Sequence, residues 1–151
     1  MPGLPAKLKE IIDTLAGFDD PDDRTQILLD YAGKFREVPA QIATRPFPRE
    51  NKIPACESDA YIWGLVAEDG SLQFHFAVEN PSGISAKALA VILQQSLSGL
   101  KAEEVIHIDP DIVRQIFRQN ISMGKGMGLM SMVEAVRQIA ARNLSSRVSP
   151  D

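Results

Sequence analysis

The sequence predicts a fold in which helices pack against one face of a small antiparallel β-sheet, and two patterns lead to this expectation. Apolar residues recur with helical spacing in the first 35 residues and again after residue 84. Between these stretches, segments 60–66 and 72–80 are rich in aromatic and branched residues and flank a turn signal at 68–70. Apolar and polar residues alternate in the second segment, so helices are expected to cover one face of the hairpin.

Two helices are predicted before the hairpin. The first covers residues 4–15, and the second follows Asp20, which is placed to cap it, with Pro21 at the first helical position. Capping explains the acids around this proline better than general-acid catalysis does. The next segment, 36–55, is predicted to be a long, stiff, exposed loop, because four prolines each remove a backbone donor: Pro39, Pro46, Pro48 and Pro54.

Further helices are predicted after the hairpin. An apolar core helix is expected from a cap at Ser85, and a helical turn at 101–105 precedes another helix whose cap and first residue are Asp109 and Pro110. Residues 122–128 are predicted to form a glycine-broken loop, since they lack the strand and residue order of a phosphate-binding loop. The last helix is expected to bury one apolar face: Leu129, Met132, Val133, Val136 and Ile139.

Length and composition predict a single domain over residues 1–144, followed by a polar tail at 145–151 that is expected to be disordered. No apolar run approaches the length of a bilayer span, and the N-terminal segment lacks the apolar stretch of a secretory signal. A cytoplasmic location is therefore expected, without a membrane partner. The net charge of −4 and the absence of a Lys and Arg cluster argue against nucleic acid as a partner.

Cys56 is the only cysteine of the chain, which excludes an internal disulfide, a CxxC pair and metal sites built mainly from thiolates. A lone cysteine is commonly a small buried hydrophobe. Here, however, it ends the proline-rich segment between polar neighbours, which favours an exposed, reactive thiol that acts on another molecule. Nearby cations would stabilise a thiolate and nearby acids would oppose it: Arg45, Arg49 and Lys52 against Glu57 and Asp59.

The two histidines have no spacing that would place both against one metal ion, and the sequence predicts neither a metal site nor a cofactor. His75 lies on the polar face of a predicted strand and His107 lies beside a helix cap, so both are interpreted as structural residues. A catalytic Cys–His pair stays open, because such partners meet in space and not in sequence.

Around the cysteine the chain reads ENKIPACESDAYIW, and this stretch resembles the signature of the SufE family. That signature has an Asn, an aliphatic residue, a Gly and a Cys followed by Ser at the start of a strand. In this chain the matching positions are Asn51, Ile53, Ala55, Cys56 and Ser58.

The resemblance extends over nearly the whole chain, from the two leading helices to a final helix entered through Gly-Leu. It implies an α+β fold of the SufE/IscU type. Further matching positions are Lys87, Leu100, Glu103, Glu104, Gly128, Leu129 and Met132.

The resemblance also implies a function, in which Cys56 accepts sulfane sulfur as a persulfide from a cysteine desulfurase of the SufS or CsdA type. The sulfur then passes to an iron-sulfur scaffold, so the chain is expected to be an accessory sulfurtransferase and activator more than a stand-alone enzyme. Whether the chain forms a homodimer is left open. Residues expected to dock the partner or support the cysteine loop are Asn51, Lys52, Ser58, Lys87 and Lys125.

Two departures from the family pattern bear on this interpretation. Ala55 replaces the usual Gly and resists positive φ, and Lys125 replaces an Arg, which keeps the charge and loses the planar fork. Two other functions stay open: a desulfurase regulator that carries no sulfur, and a thiol enzyme with Cys56 as nucleophile and His75 or His107 as base. The methionines near residues 123–132 suit a docking surface if they are partly exposed.

Overall fold

The chain folds into helices and one β-hairpin, and the computed structural model describes residues 4–56 and 58–148, with burial described as far as Leu144. Among these residues, no helix is both long and apolar enough to cross a membrane. In chain order the elements are α1 (Ala6–Ala16), α2 (Pro21–Gly33), a 3-10 turn (Arg49–Asn51), β1 (Ala60–Val66), β2 (Leu72–Val78), α3 (Ile84–Leu97), α4 (Ala102–Val105), α5 (Ile112–Phe117), a second 3-10 turn (Arg118–Asn120) and α6 (Met123–Val148).

The hairpin and α3 form the centre of the fold. β1 and β2 pair antiparallel in a two-stranded sheet, with Ala60 opposite Val78. The inward-facing Phe74 and Phe76 are almost fully buried in the main core, where β2 packs on α3. α3 also contacts α1 and α2, which explains why it is apolar around most of its circumference. This arrangement confirms the predicted α+β fold with helices on one face of the sheet.

The proline-rich segment, residues 36–55, covers the other face of the hairpin. Val38 and Phe47 are buried in a second apolar cluster with Tyr61 and Trp63, and the Phe47 ring centroid lies 5.2 Å from each of those two rings. The backbone N–H of Val38 also donates to a carbonyl of β2 at 2.9 Å. The segment is an irregular and mostly exposed loop, as predicted, but it also buries Val38 and Phe47, because aromatic side chains of the hairpin alternate onto this face as well and must be covered.

The start of α6 also differs from the prediction of a loop over residues 122–128, since residues 123–128 form its first turns. The helix begins at Met123 because Ser122 caps it: the Ser122 hydroxyl accepts from the Lys125 N–H at 3.2 Å, and its carbonyl accepts from the Gly126 N–H at 2.9 Å. Each glycine in a helix costs about 1 kcal/mol relative to alanine, so packing must offset this cost.

Other boundaries move by a few residues. Ser85 lies inside α3 and does not cap it, and Asp109 instead accepts from the Asp111 N–H at 2.8 Å in the turn before α5. α6 continues past the predicted boundary at residue 145 to Val148. Residues 149–151, the rest of the predicted tail, lie outside the described residues.

Buried Arg24 fixes α2 to the 3-10 turn that precedes α6. Its side chain is 1% exposed, donates from Nε to the Asn120 side chain at 3.2 Å and from Nη1 to the Phe18 carbonyl at 2.5 Å. Asn120 in turn donates to the Pro21 carbonyl and the Thr25 hydroxyl. Because a buried guanidinium needs its partners, this network holds the start of α6 at a defined place beside α2.

We expect Phe47→Ala to lower the free energy of unfolding by about 3 kcal/mol, because it removes a buried ring from the cover of the hairpin. Urea denaturation of both proteins measures this change. Gln41→Ala, at an exposed position of the same segment, is the control and should change stability by less than about 0.5 kcal/mol. An equally small effect of Phe47→Ala would mean that the segment is a loose loop after all.

Candidate functional site

Cys56 lies in a short turn, here called the cysteine loop (residues 53–59), which connects the first 3-10 turn with β1. At its base the Ile53 N–H donates to the Ala60 carbonyl at 2.8 Å, and within it the Asp59 N–H donates to the Cys56 carbonyl at 3.2 Å. Lys52 forms an isolated bridge with the start of β1, and its Nζ lies 3.3 Å from the Asp59 carboxylate. The loop is therefore closed like the end of a small hairpin.

Further hydrogen bonds fasten the loop to both strands. The Asn51 side chain donates to the Ile62 carbonyl at 2.9 Å, next to the base of the loop. On the other side, the carbonyls of Ser58 and Asp59 accept from the backbone N–H groups that follow β2, at 3.2 Å and 3.1 Å. The loop thus keeps a fixed position relative to the sheet.

Ala55 adopts a left-handed backbone conformation with φ of 62°, at the position where the family pattern has Gly. A residue with a Cβ is strained in this conformation, whereas Gly adopts it freely. Gly128 of α6 packs directly on this part of the loop, since a Cβ on Gly128 would lie 2.9 Å from the Ala55 carbonyl oxygen. No larger residue fits at Gly128 unless α6 or the loop moves.

The thiol of Cys56 is buried, with only 9% of the residue exposed, so the expectation of an exposed cysteine is wrong. Cys56 lines a cavity of about 10 Å³, which is room for roughly one water-sized atom. Its walls come from the loop, the start of α3 and the first turns of α6: Ser58, Ser85, Ala86, Gly124, Lys125, Gly128 and Leu129. On its outer side, the loop borders a wide, open depression.

Lys125 is the predicted cation that lines the cavity of Cys56, and it lies in the first turn of α6. The positive end of the helix dipole is at the same place, so an anionic sulfur in this cavity would meet favourable charge. Arg49 and Lys52 line the outer depression together with Cys56, but Lys52 is already paired with Asp59.

Two other predicted cations, Arg45 and Lys87, do not line the cavity and interact with other residues. Arg45 pairs with Glu37 at 2.7 Å, and this hydrogen bond raises the pKa of the Arg45 guanidinium. The Lys87 ammonium lies 6.0 Å from the centre of the Phe35 ring, between α3 and the end of α2. Glu57, which was expected to oppose a thiolate, is outside the described residues.

The histidines stand apart from the walls around Cys56. His75 faces Trp63 across the hairpin, where burial lowers its pKa, and His107 is exposed just after α4. Neither lines the cavity or the outer depression. In the described part of the chain, no cluster of three or more His, Cys, Asp or Glu side chains is arranged to hold a metal ion.

Sequence patterns did not point to several residues that shape the cavity. Ser85 was interpreted as a helix cap, whereas it lines the cavity beside Cys56. Gly83 lets the chain pass close to the loop, since a Cβ there would lie 3.0 Å from the Ser58 side chain. The signal in the sequence is only that these residues are small, which does not identify a contact between distant segments.

The chain matches the family model named SufE, described as an Fe-S metabolism associated domain, over residues 9–140. It belongs to the SufE family. SufE membership associates the chain with Fe–S metabolism and agrees with the signature around Cys56.

Two SufE-like relatives and one solved structure extend this result. The chain is 25% identical over 138 residues to SufE-like protein 1, chloroplastic/mitochondrial, of Arabidopsis thaliana, covering 91% of this chain and 35% of the relative. It thus spans only about a third of that protein. It is 28% identical over 142 residues to an uncharacterized SufE-like protein of Rhizobium meliloti, covering 91% and 96%. The solution structure of a hypothetical protein from Thermus thermophilus shares the fold, with a TM-score of 0.73 at 22% identity over 94% of this chain and 98% of that one.

We expect Ala55→Gly to raise the free energy of unfolding by about 0.5 to 1 kcal/mol, because Gly adopts the left-handed conformation without the Cβ strain. Thermal and urea denaturation measure the change. The same substitution at exposed Ala40, whose φ is not positive, should instead be destabilising. If both variants lose stability, the loop does not hold residue 55 in this conformation.

Burial of His75 predicts a loss of stability in mild acid. Its pKa is lowered in the folded protein, so the unfolded chain binds the proton first as the pH falls below about 6.5. The free energy of unfolding should therefore be constant above this pH and decline below it, and His75→Gln should weaken the decline. Urea denaturation at several pH values tests this. His107→Gln, at an exposed position, is the control, and an equal effect of both changes would contradict the assignment to His75.

Proposed function

We propose that this chain is a sulfur carrier, in which Cys56 receives sulfane sulfur from a cysteine desulfurase and passes it on for iron-sulfur cluster assembly. The main support is the one-atom cavity that Cys56 lines between the cysteine loop and the start of α6. Membership of the SufE family supports the association with Fe–S metabolism. The SufS or CsdA type of donor, the scaffold acceptor, the cytoplasmic location and a homodimer stay predictions.

The transfer needs no oxidant, because sulfur moves between two thiols at one oxidation level. The Cys56 thiolate attacks the outer sulfur of the donor's persulfide, a new S–S bond forms at Cys56, and the donor's S–S bond breaks. The electron pair of the broken bond leaves with the donor's cysteine as a thiolate, and the proton of the persulfide stays on the transferred sulfur. With a single cysteine in the chain, the product cannot collapse into an internal disulfide.

Attack on a donor requires the loop to open, because Cys56 is buried in the closed state. The loop is held by a few backbone hydrogen bonds and by the exposed Lys52–Asp59 pair, which contributes little to stability. The strain at Ala55 further lowers the cost of leaving the closed state. A partner that binds the outer depression can therefore draw the thiol out at modest cost.

Closure of the cysteine loop then protects the transferred sulfur. A single added sulfur atom fits the scale of the cavity, whose walls include Ser58 and Ser85. Lys125 and the positive end of α6 favour loss of the proton from the outer sulfur, because they stabilise the persulfide anion that results. A second thiol has no room to enter, so the outer sulfur is held until an acceptor opens the loop.

The proposal is tested by mass spectrometry after incubation with a SufS-type cysteine desulfurase and free cysteine. We expect Cys56 to gain one sulfur atom, whereas Cys56→Ser gains none and no longer stimulates cysteine turnover. If the parent gains no sulfur and Cys56→Ser stimulates turnover equally, the chain is a regulator that carries no sulfur.

Storage of the sulfur in the cavity is tested by variants in the same experiment. Ser85→Val fills the space beside Cys56 and should speed the loss of the loaded sulfur to a small thiol, because the outer sulfur is displaced toward solvent. Ser82→Val, at an exposed position just before α3, is the control. Equal retention of sulfur by both variants would argue against storage in the cavity.

A further inference from the structure

We propose that a groove on the face of α6 opposite to the Cys56 cavity docks an acidic, amphipathic segment of the sulfur donor; this inference rests on the proposed carrier function. The methionine groove has a volume of about 360 Å³ and lies between α5, the second 3-10 turn and the start of α6. The side chains that matter for docking are Val113, Arg114, Arg118, Met123, Met127 and Met130.

The floor of the methionine groove is apolar and adaptable. Met123, Met127 and Met130 follow one another at helical spacing, so they share one face of α6. Met123 is 85% and Met127 66% exposed, the largest exposed fractions among the large apolar residues that the structure describes. Exposed apolar side chains that line one groove indicate a binding surface, and Met side chains adjust easily to a partner.

The rim of the methionine groove is cationic, although the chain as a whole carries a charge of −4. Arg114 and Arg118 both line the groove, and both are exposed. Arg114 is paired with Asp111 at 3.5 Å, whereas Arg118 has no ion pair among the described residues. Charge complementarity therefore favours a partner segment in which Asp or Glu flank apolar residues.

The position of the methionine groove brings a docked partner close to the cysteine loop. Gly124, Lys125 and Gly128 line the Cys56 cavity, while Met123 and Met127 line the groove, so the two sites occupy opposite faces of the same two turns of α6. A segment seated in the groove lies within about one helix diameter, roughly 10 Å, of the cysteine loop. The donor's persulfide is thereby brought to the loop that must open.

The test compares loading of Cys56 by two sulfur sources. The variants Met127→Glu and Arg118→Glu place negative charge in the groove, and the sources are a SufS-type desulfurase with free cysteine, and glutathione persulfide, which needs no docking. At limiting chain concentration we expect each variant to be loaded about tenfold more slowly by the desulfurase and at the parent's rate by glutathione persulfide. Added salt should slow loading of the parent more than that of Arg118→Glu.

Matched controls carry the same changes elsewhere. Arg142→Glu reverses an exposed charge on α6 about 22 Å from Met127 along the helix, and Val66→Glu replaces an exposed apolar residue of the hairpin. Both should be loaded like the parent. Equal slowing by these controls would overturn the proposal, since the effect would then follow from charge alone.

The other outcomes are equally decisive. If the groove variants are loaded by the desulfurase as fast as the parent, the groove does not dock the donor, although the carrier function stands. Slow loading from glutathione persulfide overturns the groove assignment too, because the damage then lies in the cysteine loop. If the parent sediments as a dimer that Met127→Glu dissociates, the groove joins two copies of the chain. Failure of the parent to load from the desulfurase removes the carrier function and the docking proposal together.

Discussion

The close approach of α6 to the cysteine loop is the contact on which the rest of the site depends. At Gly128 the helix meets the carbonyl of Ala55 so closely that a single Cβ would lie 2.9 Å from the oxygen. Because no side chain separates helix and loop here, the space beside Cys56 shrinks to about one atom. This contact explains Gly128, a residue type that weakens α6 locally.

In the proposed function, protection and transfer of the sulfur place opposite demands on the cysteine loop. A buried sulfur is shielded from other thiols, but it must reach a partner in order to move. The loop reconciles these demands by relying on weak fastenings: a few backbone hydrogen bonds, an exposed ion pair between Lys52 and Asp59, and a strained residue at Ala55. None of these is worth more than a small part of the stability of a domain, so opening the loop does not require unfolding.

The surroundings of the loop are, by contrast, firmly packed. Phe47, Tyr61 and Trp63 fix the proline-rich segment on the outer face of the hairpin. On the other side, the buried side chain of Arg24 ties α2 to the turn before α6 through Asn120. The cysteine loop is thus a short segment between two firmly packed supports, and in the proposed transfer it is the part that moves.

Local patterns in the sequence determined the helices, the hairpin, the cap at Asp20 and the cysteine signature, because spacing and capping depend on neighbouring residues. The family could be identified from residues 51–58 for the same reason. Tertiary structure alone decided that Cys56 is buried, that Ser85 and Lys125 line its cavity and that Lys87 does not. It also decided that residues 123–128 are helical and that Gly128 packs against a loop some 70 residues away in the chain, a contact that no local pattern reveals.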